Sequence, residues 1–139
     1  RVIITKSWQD KEGKKNTTLS PDLIELNFLT DNGWQIANAQ STKERTVLYY
    51  TKAVAAGDTT PALSDTLRIN PSIASDVTKH VTESEKGKSI TYTYKYNGYT
   101  FHIDAEVDAV QTHNAKDAIK SAWGVDINVS DDETTMSLQ

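Results

Sequence analysis

Along much of this 139-residue chain apolar and polar residues alternate, and a period of two is the mark of strands that bury one face. Residues 2–8 place Val2, Ile4 and Trp8 on one side, and SPDLIELNFLT does the same with Ile24, Leu26 and Phe28. The DNGW stretch is a turn, because Asn and Gly tolerate the positive φ of tight hairpins, and a short strand is expected at Trp34–Ile36. ERTVLYYTKAV and ALSDTLRIN read as two more strands. The clearest pattern lies at residues 88–112, where two alternating runs flank Asn97-Gly98 and predict a hairpin. After that turn Tyr99, Phe101, Ile103, Ala105, Val107 and Ala109 form an apolar row, expected to face the core. Thr100, His102, Asp104, Glu106 and Asp108 form a polar row, expected to face water.

The remaining segments break this period. NAKDAIKSAWG predicts one helix near residues 114–123, with Asn114 placed to cap it, Ala118, Ile119 and Ala122 as its apolar stripe and Gly124 to end it. Val125, Ile127 and Val129 predict a last strand. In residues 71–89 Pro71 suits the start of a short helix and the polar second half reads as a loop. Many short strands, polar turns and one helix predict an all-β fold, an antiparallel β-sandwich of jelly-roll or immunoglobulin-like type. The domain is expected to span residues 1–129, with 130–139 as a flexible tail.

Composition narrows the partners. The formal charge of −4 with scattered Lys and Arg argues against nucleic acid or an anionic membrane as a partner. Without cysteine there is neither a disulfide nor a thiolate metal site. No apolar run approaches the ~20 residues of a membrane-spanning helix. Strand-like alternation begins at once, at Arg1, and the expectation is that an upstream segment is missing.

Candidate chemistry is sparse. His102 and Asp104 are neighbours on one strand face and are the candidates for a shared metal, although an exposed antiparallel face is ordinarily polar without one. Lys6 stands on the apolar row of its strand. A buried amine must shift its pKa, find a carboxylate or react, so Lys6 is a candidate for an isopeptide bond, with Asn128 as the partner to test. A lysine snorkelling from an edge strand is the plainer reading. No catalytic motif is present and no cofactor is implied. The tryptophans and tyrosines suit core packing better than a sugar-stacking platform.

The order of VIITKSW, LSPDLIELNF, GWQI, YYTKAVAAGDTTPAL, YTFHIDAEVDAVQTHN and AWGVDI resembles the secreted matrix proteins related to TasA and camelysin, which depend on a SipW-type signal peptidase. The likeness is strongest to the clostridial BsaA-like branch and covers most of residues 2–128. It implies a non-enzymatic, extracellular subunit of a biofilm matrix or pilus-like fibre of a Gram-positive bacterium, self-associating when an N-terminal segment of one subunit adds as a strand to the sheet of the next. Camelysin-type relatives have been classed as metalloproteases, which makes a protease the alternative, and a surface adhesin or carbohydrate-binding module is another. The helix-borne histidine pair of the usual zinc proteases is absent from this sequence.

Overall fold

Val2, Ile3 and Ile4 are consecutive apolar residues, and a strand that is apolar on both faces needs cover on both. The computed structural model describes residues 1–75, 77–84 and 87–139. Its strands are β1 (Val2–Gln9), β2 (Lys15–Asn16), β3 (Ile24–Phe28), β4 (Trp34–Ile36), β5 (Arg45–Tyr50), β6 (Ser64–Ile69), β7 (Val77–Ser84), β8 (Gly87–Tyr94), β9 (Thr100–Val107), β10 (Ile127–Val129) and β11 (Met136–Leu138). Among the described residues one α-helix, α1 (Ala115–Trp123), lies between β9 and β10.

β1 is the hub. β5 pairs antiparallel with residues 2–5 and β2 with Trp8 and Gln9, while β9 takes the whole of the opposite edge, from Val2 against Val107 to Gln9 against Thr100. β4 completes the sheet beyond β5. On one face Val2, Ile4, Leu48 and Trp34 pack against Leu26 and Phe28 of the β3–β6 pair. On the other, Ile3, Val47 and Tyr49 pack against Trp123 of α1 and against Met136 and Leu138 of β11. The fold is thus an all-β, sandwich-like one, with its central sheet covered on both sides. Val47, Leu48 and Tyr49 are consecutive and fully buried, each contributing roughly 1.5–3 kcal/mol by leaving water.

Four expectations change. The Asn97-Gly98 turn forms, with Gly98 at φ +78° and the Tyr99 N–H donating to the Tyr96 carbonyl, yet the strands it joins do not pair with each other. β9 pairs with β1, and β8 pairs with β7 in a separate ribbon. A turn motif reverses the chain locally, whereas pairing goes to the strand whose side chains offer the better match, here the Val2, Ile4 and Trp8 row. The ribbon also replaces the loop expected in the second half of residues 71–89, with only a short 3-10 turn at Pro71–Ser75 before it. Asp76, Glu85 and Lys86, covered by the same expectation, lie outside the described residues.

Residues 130–139 are no flexible tail. β11 pairs with β10, the Met136 N–H donates to the Thr51 carbonyl at 2.8 Å, and Met136 and Leu138 pack under the central sheet. Asn114 precedes α1 in the left-handed conformation and makes no side-chain capping bond. Gly124 ends the helix as expected, at φ +70°.

Candidate functional site

The least satisfied part of the central sheet is β9. Its direction is set at one end by the turn at Gly98 and at the other by Asp108, whose N–H donates to the Arg1 carbonyl at 2.9 Å. The Asp108 carboxylate also takes the Arg1 guanidinium at 2.6 and 2.9 Å, and that guanidinium lies 5.1 Å from the centre of the Trp123 ring. These contacts hold β9 in register on β1.

Register decides which way each amide points, since an antiparallel strand turns alternate peptide groups to opposite edges. The Asp108 bond to Arg1 belongs to the β1 side, and the Lys6 N–H donates away from β9, to the Glu44 carbonyl. It follows that Thr100, His102, Asp104 and Glu106 bond to β1, whereas the N–H and C=O groups of Phe101, Ile103, Ala105 and Val107 point outward. Among the described residues no strand pairs with that outer edge. An eight-residue strand with such an edge is a template for another strand.

The apolar row of β9 is open as well. Its apolar partners on β1, Val2, Ile4 and Trp8, are buried, Val2 and Trp8 each only 4% exposed, but Phe101 is 38% and Val107 73% exposed. Ile103 reaches the core and Ala105 does not. This corrects the expectation that the whole row forms the core: Tyr99 and Ile103 pack against it, and the layer over β1 stops short of the rest. Where β9 ends, a cleft of about 480 Å³ opens, lined by apolar side chains that include Val107, Val110, Trp34, Trp123 and Met136.

His102 and Asp104 lie on the opposite, polar row of β9, across from Ser7 and Thr5, and both are exposed. Among the described residues no three His, Cys, Asp or Glu side chains gather closely enough to hold an ion. Lys6 does point between the layers. Its Nζ donates to the Ile24 carbonyl at 2.7 Å, and burial pulls its pKa below the ordinary value against the raising effect of the Asp22 and Glu25 carboxylates. Asn128 is on β10, whose partner β11 packs against the other face of the sheet, and its Oδ1 accepts from Gln139 Nε2 at 2.8 Å. The two isopeptide candidates are not brought together.

Trp8 and Trp34 are buried and half-buried Trp123 packs on Tyr49, with the aromatic pairs tilted or edge-on. They form no flat platform for a sugar ring. The outward amides of β9 are what sequence reasoning missed. The signal for them was its charge row, since acidic residues on alternate positions are a usual guard for an open edge. Comparison with family models, curated proteins and solved structures finds no match.

Proposed function

We propose that this chain is a structural subunit of a secreted fibre or biofilm matrix, and that subunits join when a strand from one adds to the outer edge of β9 in the next. The carrying observation is that edge, whose outward peptide groups no strand pairs among the described residues and beside which Phe101 and Val107 are exposed. An incoming strand satisfies the outward amides of Phe101, Ile103, Ala105 and Val107, and its apolar side chains can lie beside Phe101 and Val107. Repeated head to tail, such a contact produces a filament. The resemblance to TasA- and camelysin-related matrix proteins supports the same reading, with a segment N-terminal to β1 as the donor and the surface of a Gram-positive bacterium as the setting.

Ala105→Pro is the specific test. Ala105 is exposed and its N–H points away from β1, so proline there leaves the β1 ladder whole and blocks the outer edge. The wild-type protein at its full natural length is expected to form filaments visible by electron microscopy. Ala105→Pro is expected to keep the fold by circular dichroism and to form none. Absence of wild-type filaments at high concentration, or unchanged filaments in the variant, would overturn the proposal.

A further inference from the structure

The sequence of β9 complements itself, and this names a second occupant for its edge. We propose that β9 pairs antiparallel with β9 of a second copy about a two-fold axis through Ile103, joining two central sheets edge to edge in a closed dimer. This inference stands on the edge alone and does not require the fibre reading.

The outward peptide groups belong to Phe101, Ile103, Ala105 and Val107. In a symmetric pair they must meet the same set in the second copy. The registers that overlap most of the strand are therefore centred on His102, Ile103 or Asp104. Centring on Asp104 sets two carboxylates against each other, which is unfavourable for residues directly opposed. Centring on His102 opposes two imidazoles and leaves Asp104 across from Thr100. The Ile103-centred register alone sets His102 opposite Asp104, twice, and Thr100 opposite Glu106, twice.

These polar pairs fall at positions without ladder bonds, where Cα atoms are about 4.5 Å apart and side chains approach most closely. On the other face the same register sets the large Phe101 against the small Ala105 and Ile103 against itself. The exposed Phe101 thereby gains apolar neighbours. Around His102 the facing groups are Ser7 opposite on β1, Thr5 and Gln9 diagonally, Asp104 and Thr100 along its own strand, and, in the second copy, Asp104 opposite with Glu106 and His102 diagonally. The cations on that face stand one strand further off, Arg45 across from Thr5 and Lys15 across from Gln9, while Arg1 is held by Asp108.

One strand pair is a small contact, so the dimer is weak and its population follows concentration. Because it uses the outer edge of β9, a dimerised chain is closed to strand addition.

Sedimentation equilibrium of the 139-residue chain tests the proposal whether or not filaments exist. Wild type is expected to show a monomer–dimer equilibrium. His102→Glu and Asp104→Lys are each expected to weaken it about tenfold, since each change acts at two symmetry-related pairs. The double variant is expected to recover dimerisation, because it sets opposite charges against each other in the Ile103-centred register and in neither of the other two. A wild type that stays monomeric at every concentration overturns the proposal. So do single variants that dimerise like wild type, or a double variant as weak as the singles.

Discussion

Tyr49 has no exposed surface, yet its hydroxyl is satisfied, donating to Gln40 Oε1 at 3.0 Å. Tyr49→Phe removes that one bond and is expected to cost about 1 kcal/mol. Tyr49→Ala also empties the space between the central sheet and α1, and should cost about 3–5 kcal/mol in urea unfolding. Lys6 gives a prediction with a sign. Burial makes the folded state hold the Lys6 proton less tightly than the unfolded chain does, so this group adds stability as pH rises through its lowered folded value toward 10.5. Relative to Lys6→Met, wild type should gain urea resistance over that window, and parallel pH curves would refute it. Alternation alone showed that Lys6 stands on the apolar row. Its acceptor, the Ile24 carbonyl, was illegible because a main-chain oxygen is presented by tertiary packing.

At the scale of elements, strands with one clean alternating face were legible. β3, β4 and β5 fall within their expected segments and β1 runs one residue past its own, to Gln9; α1 also falls where expected, and its stripe residue Ile119 is buried. The β7–β8 ribbon was not, since its polar and β-branched composition suits a loop as well as a two-stranded hairpin. β11 was missed because three residues are too few to show a period. Its apolar residues nonetheless close the lower face of the sheet. Met136→Ala and Leu138→Ala are each expected to cost about 1–2 kcal/mol, below the full-burial range because both are half-buried. A tail merely resting on the surface would lose nothing measurable.

For the molecule as a whole, the candidate site was only partly legible, since a free edge belongs to the pairing scheme and not to any one segment. The acidic row of β9 was read correctly as exposed, and its companion apolar row reaches the core only through Tyr99 and Ile103. That row is what makes Ala105→Pro informative about assembly, and the charge exchange at His102 and Asp104 informative about dimerisation. The hub position of β1 reaches further, into the order in which the chain can fold. Val2 meets Leu48 on one side and Val107 on the other, so β1 finds its last neighbour only when about a hundred residues have followed it. At ribosomal rates of ~5–20 residues per second that is a wait of about 5–20 s, during which a segment apolar on both faces stands without its second partner. Such distant pairing places the protein among slow folders, and a nascent chain of this design depends on being kept from its neighbours until β9 arrives.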